Sequence, residues 1–178
     1  MRNVILILIL VLPALSSPSH SGEVEFGKMG GVEICDGMVW HTSDSHDWVY
    51  GSVFGRYGKK VSRNWILFGE AHVGLYEFKE REGESISLQG NVVGQYTYRL
   101  FPNKVSLYGE VGVGIGHITR SPGSVARFPL GNILYGAGFK YRAGDLEYRL
   151  GYQFLHQSSL LRDDSGLNTH GMVLTVAW

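Results

Sequence analysis

The chain has 178 residues with 16 Lys+Arg against 16 Asp+Glu, enough for one domain or two small ones and without the basic footprint of a nucleic-acid binder. It is 44% apolar and 12% aromatic, too hydrophobic for disorder, yet only 18% charged, and its 25 glycines are about twice the ordinary share. A single cysteine, Cys35, excludes an intrachain disulfide framework and a cysteine-rich zinc site.

Residues 1–21 carry the pattern of an export signal: Arg2, an apolar run over 4–12, then Pro13 and the small residues Ala14 and Ser16. The run is far short of the roughly 18 apolar residues that a membrane-crossing helix needs. Cleavage is expected between residues 16 and 21, leaving an exported chain over 22–178.

The exported chain alternates with a period of two, the mark of strands whose two faces meet different surroundings. Two weaker segments come first, at 22–32 and 48–57. Between them lie Cys35, His41, Asp44, His46 and Asp47, read as a polar external loop with an unpaired thiol, not as a metal site. Segment 64–78 alternates loosely, with Glu70 and His72 on one face. Segment 88–100 sets Leu88, Val92, Tyr96, Tyr98 and Leu100 against Gln89, Asn91, Gln95, Thr97 and Arg99. In 105–117, Val105, Leu107, Val111, Val113 and Ile115 oppose Ser106, Tyr108, Glu110 and three glycines. In 133–141, Ile133, Tyr135, Ala137, Phe139 and Tyr141 oppose Leu134, Gly136, Gly138 and Lys140. The clearest segment, 147–158, aligns Tyr148, Leu150, Tyr152, Phe154, His156 and Ser158 against a mostly polar or small face. The last, 168–178, aligns His170, Met172, Leu174, Val176 and Trp178 and ends on an aromatic.

Eight strands result, and their connections alternate in length. Residues 58–63, 101–104 and 142–145 are short; 32–47, 79–85, 118–132 and 159–167 are longer. Short turns at one end and long loops at the other are the pattern of a transmembrane barrel, which closes so that no strand edge meets lipid. A soluble sandwich also alternates, but seldom exposes Tyr148, Tyr152, Phe154 and Trp178 near its strand ends. An antiparallel eight-stranded barrel of the outer-membrane type is therefore expected. Its interior has room only for side chains, with Glu70, His72, Arg99, Glu110, Lys140 and Arg149 placed there as a paired polar core. A pore is not expected.

His156 and Ser158, two apart on one strand, share its outward face. An imidazole there suits the removal of a serine hydroxyl proton. Both residues continue the apolar stripe of the seventh strand, where hydrophobic residues would be cheaper. In the following hairpin His156 would face either Asn168 or His170; Asn168 is the better partner, because its side-chain carbonyl accepts from an imidazole N–H. His170 would orient the ring or touch substrate. Interfacial polar residues without chemistry remain the plainer alternative.

Tyr152-Gln153-Phe154-Leu155-His156-Gln157-Ser158-Ser159, followed by Gly166-Leu167-Asn168-Thr169-His170, resembles the end of the PagL family of lipid A 3-O-deacylases. Upstream, residues 107–114 and 128–141 are also similar to that family's fifth and sixth strands, so about the last 80 residues carry the likeness. The resemblance implies an eight-stranded outer-membrane barrel with a lipid-facing site that removes the acyl ester at the 3 position of lipid A, with no metal or other cofactor. It assigns Ser158 as nucleophile, His156 as base and Asn168 as the third member. Where the family has Asn after the nucleophile, to help hold the oxyanion, this chain has Ser159. Where it has a carboxylate or Asn, this chain has Asn168, as in the His-Ser-Asn set of outer-membrane phospholipase A.

The expected protein is thus a carboxylic ester hydrolase of the bacterial outer membrane acting on lipopolysaccharide, with Tyr152 and Phe154 along the acyl chain. No nucleic-acid partner is expected, and a homodimer is left open. The alternatives are a non-enzymatic structural or adhesive barrel, and a phospholipase using the same site.

Overall fold

A computed structural model describes residues 26–38, by their backbone, and residues 47–78, 83–101, 104–120, 128–161 and 166–178. The expected export signal and the loop residues His41, Asp44 and His46 lie outside these.

Eight antiparallel strands close in sequence order: β1 (Phe26–Met38), β2 (Asp47–Lys60), β3 (Trp65–Phe78), β4 (Glu84–Phe101), β5 (Val105–Ile118), β6 (Leu130–Ala143), β7 (Leu146–Ser159) and β8 (Leu167–Ala177). The closing ladder runs between β1 and β8, from Met29↔Ala177 to Met38↔Asn168. Each strand is long enough to cross a hydrocarbon layer when tilted.

Alternation has the consequence expected of a barrel in lipid. Along β7, Arg149, Gly151, Gln153, Leu155 and Gln157 are buried inside, whereas Tyr148, Leu150 and Tyr152 are exposed outside. Leu67, Val73, Leu88, Val92, Val111, Val113, Ile115, Ile133 and Leu174 are likewise all exposed. A band of this kind has no place in water and faces acyl chains. The exposed aromatics Tyr57, Trp65, Tyr98, Phe101, Phe139, Tyr141 and Tyr148 gather at the end bearing the short turns. They form an interfacial girdle there.

The interior is solid. Arg56 is the hub: its Nη1 and Nη2 donate to the two Glu110 oxygens at 2.8 and 3.0 Å, and its Nε donates to Glu70. Asn91 Nδ2 donates to Glu70 at 2.9 Å and Gln95 Nε2 to Glu110 at 3.0 Å. Lys140 and Arg149 share Gln95 Oε1, and Arg149 also pairs with Glu147 at 2.7 Å. Toward the long-loop end the filling turns apolar, with Tyr50 stacked on Tyr76 at 4.4 Å above Ile118, Leu130, Leu134 and Leu155.

Two expectations are corrected, and one central residue was not foreseen. Arg99 is exposed beside an irregularity in the β4–β5 ladder, so its guanidinium reaches water at the strand end instead of the core. Arg56, in one of the two weaker segments, takes the central place. Cys35 is not in a loop: β1 continues to Met38, with Cys35 paired to Tyr50 and Gly171.

Candidate functional site

β7 and β8 meet in a hairpin whose register opposes Gln157 to Leu167 and His156 to Asn168. The two open partners for His156 are thereby resolved, since His170 instead opposes Phe154. His156 Nδ1 and Asn168 Oδ1 are 2.7 Å apart. An amide oxygen only accepts, so the ring proton sits on Nδ1 and the Nε2 lone pair is left as a base. Asn168 is buried at 5% exposure, which holds its amide in one orientation, while His156 is half-buried and remains approachable from lipid.

Ser158 stands on the same outward face, one step nearer the loop, and is half-buried. Its neighbour across β6 is Gly131, which has no side chain to cover it. A Cβ there would lie 2.6 Å from Leu160, whose exposed side chain occupies that space. Among the described residues, no hydrogen bond joins the Ser158 hydroxyl to the ring. Such bonds commonly tighten only when substrate binds. Ser159 lies where the strand ends, and its hydroxyl oxygen accepts from the Leu161 N–H at 3.2 Å, holding the turn.

Gly166 is a site residue whose role sequence reasoning did not find. Its φ is +65°, a conformation that side chains oppose, and a Cβ there would lie 2.7 Å from His156 Cε1 and 3.2 Å from Nε2. The glycine thus makes room for the imidazole edge. Gly166→Ala is expected to cost about 1–2 kcal/mol of stability from the backbone alone and to displace the ring from Asn168. Unfolding in urea would read the first effect, and the ¹⁵N shifts of the His156 ring the second. An unchanged His156 tautomer would contradict the clearance role.

Below His156 the outward face carries Phe154, stacked on Tyr135 at 4.8 Å, and then Tyr152. Both border a groove of about 520 Å³ across β4–β7. Gly94, Gly109, Gly136 and Ala137 form its floor, and Trp65, Tyr96 and Val111 stand beside it. Its mostly apolar lining suits an alkyl chain. Tyr152 OH also meets His170 Nδ1 at 2.6 Å. Among the described residues no cluster of His, Cys, Asp and Glu could hold a metal ion. At the loop end, His117 packs edge-on against Phe128 at 5.9 Å.

No family model matches the chain, and no curated protein does. Among solved structures, it is similar to the outer membrane enzyme PagL, with a TM-score of 0.58 and 14% identity over 83% of this chain and 97% of that one. It is also similar to Neisserial surface protein A, with a TM-score of 0.64 and 9% identity over 88% and 98%. At these identities the shared property is the small outer-membrane barrel fold. That fold and the exposed apolar band place the chain in the bacterial outer membrane. One of the two is an enzyme and the other a surface protein, so the scaffold alone assigns no activity.

Proposed function

We propose that the protein is a lipid A 3-O-deacylase working in the outer leaflet of the outer membrane. The observation that carries this is the His156–Asn168 hydrogen bond on a lipid-facing surface, one outward position from Ser158. An oriented imidazole with a free Nε2 has little structural use on a face where Leu150 and Leu174 sit at lower cost.

In this mechanism Ser158 Oγ attacks the acyl carbonyl carbon while His156 Nε2 takes the hydroxyl proton. The tetrahedral adduct collapses, the sugar oxygen leaves with the proton from His156, and the acyl group stays on Ser158. Water then attacks the acyl-enzyme, His156 again accepting and returning a proton. Asn168 keeps the ring in the Nδ1–H tautomer and orients the imidazolium, without the charge a carboxylate would add. Main-chain N–H groups at the end of β7, with Ser159, are the donors proposed for the oxyanion. Lipid enters laterally, its chain along Phe154 and Tyr152, so no lumenal pocket is required.

The test is the mass of lipid A from cells that express the protein, compared with cells that do not. Loss of one 3-hydroxyacyl chain, with phospholipid intact, is the expected result. Free fatty acid from phospholipid alone would instead assign a phospholipase. Unchanged lipid of both kinds, with the barrel folded, would leave a structural barrel.

A further inference from the structure

The groove bordered by Phe154 and Tyr152 extends deeper than an outer-leaflet lipid reaches. Paired positions followed around the barrel from Lys28 return at Met38, ten residues further along β1. That offset corresponds to a strand tilt of about 40°, and each cross-strand row descends toward the short turns on its way from β8 to β2. A step along a strand is then worth about 2.5 Å of depth, and a step to the next strand about 3 Å. Tyr152, Ala137, Gly109, Tyr96 and Trp65 form one such row, each directly opposite the next. Tyr152 lies six residues below Ser158 on β7, about 15 Å deeper, and Trp65 lies about 27 Å deeper. A leaflet of hydrocarbon is about 12–15 Å thick. An outer-leaflet chain that begins level with Ser158 therefore ends near Tyr152. The groove beyond it, over Ala137, Gly109 and Gly94, lies in the periplasmic leaflet.

Aromatic rings wall this lower end, and the rim beneath it is basic. Trp65, the first residue of β3, stands edge-on to Tyr96 with ring centres 5.3 Å apart. Asn64 Nδ2 donates to Tyr96 OH at 3.2 Å, and the Thr97 N–H donates to the Asn64 carbonyl at 2.8 Å, so the wall is tied to the β2–β3 turn. That turn carries Arg63, and the neighbouring β4–β5 turn carries Arg99 and Lys104, all three exposed. Residues 57–64 and 96–106 contain no Asp or Glu. Among the described residues, the carboxylates at this end are Asp145 and Glu147 of the β6–β7 hairpin, where Glu147 already pairs with Arg142 and Arg149.

We propose that the lower half of the groove binds an anionic glycerophospholipid of the periplasmic leaflet. One acyl chain lies over Gly109 and Ala137, against the Trp65–Tyr96 wall, and Arg63, Arg99 and Lys104 hold the phosphodiester. Charge selects this occupant. A zwitterionic headgroup brings its own ammonium to a rim that is already cationic. A second copy docked here, about a two-fold axis along the membrane normal, would set the same three cations against each other. The site does not depend on hydrolysis at Ser158.

The experiment uses the full-length protein folded into phosphatidylcholine vesicles that contain equal fractions of either chain-brominated phosphatidylglycerol or chain-brominated phosphatidylcholine. Bromine quenches tryptophan on contact, and the Trp65 signal is the part lost in Trp65→Phe. Phosphatidylglycerol is expected to quench Trp65 with a preference on the order of tenfold or more, since each cation near an anionic headgroup contributes about fivefold. Added salt should shrink the preference. Arg63→Gln combined with Arg99→Gln should remove most of it, with folding checked by heat-modified gel mobility. Gly109→Leu should remove it as well while every charge is retained, by filling the groove. A Cβ at that position meets nothing nearer than the Gly136 carbonyl at 4.0 Å, so the backbone accommodates it. Equal quenching by the two lipids overturns the site. A preference that survives Gly109→Leu overturns it too, because the rim would then attract anionic lipid without seating a chain. Trp65 shielded from both lipids in a cross-linkable dimer would give the groove to a second copy instead.

Discussion

Ser158→Ala is expected to leave the lipid A of expressing cells as fully acylated as that of cells without the protein. In purified enzyme the rate should fall by about 10³-fold or more, the scale seen when a nucleophile is removed from a serine hydrolase. His156→Ala should be comparably damaging, and the double variant little worse than either single one, because the two groups act as one unit. Asn168→Ala should cost less, since it frees the ring without removing the base, and Asn168→Asp should retain activity, since a carboxylate accepts the same Nδ1–H bond. The barrel is insulated from the loss of the Ser158 hydroxyl. Ser158 is only half-buried at the end of β7, Gly131 lies opposite it, and neither contributes to the ion cluster around Arg56. Lipid A mass spectra alongside heat-modified gel mobility would separate lost chemistry from lost folding. A folded Ser158→Ala protein that still deacylates at the wild-type rate would sink the assignment.

From residue 88 onward the strands were legible because each has two faces with opposite demands, lipid outside and packed polar or small residues inside. Such constraints write themselves as strict alternation. β1 is the exception. Gly27, Gly30 and Gly31, with Glu33 and Asp36 beyond them, blur its pattern, and its continuation to Met38 is fixed by ladders to β2 and β8. Arg56 was missed for a related reason, since glycines on both parities, at 51, 55 and 58, leave the parity of β2 ambiguous. At the site, residue types and spacing pointed to Ser158, His156 and Asn168, but the loop before β8 left the partner of His156 open by one row. Only the register closed it. The service of Gly166 was invisible because φ and clearance belong to the folded chain. The Tyr152–His170 bond was hidden too, because it is diagonal: the residue directly across from His170 is Phe154.

Arg56→Met is expected to lower the unfolding free energy of the barrel by about 3–5 kcal/mol, the cost of breaking a buried ionic cluster by deleting one partner. Arg56 is 5% exposed and bridges Glu70 on β3 and Glu110 on β5 from its own place on β2. Its guanidinium is also packed 5.0 Å from the centre of the Phe54 ring and 5.8 Å from Phe68. Removing it leaves two carboxylates inside a filled lumen, with Asn91 and His72 beside Glu70 and Gln95 beside Glu110, but without the shared cation. Arg56→Lys should fall between wild type and Arg56→Met, because a point charge cannot span both carboxylates as the planar fork does. Joint replacement by Arg56→Met, Glu70→Gln and Glu110→Gln should recover part of the loss, since neither carboxylate is then left without the cation they share. Urea titrations in phospholipid vesicles, followed by tryptophan fluorescence, would measure each step. Coincident midpoints for wild type and Arg56→Met would mean that the cluster is not what holds the strands in place. Recovery in the triple variant would instead show that the charges fix the register of three strands while apolar packing at the loop end, below His156 and Ser158, carries the stability.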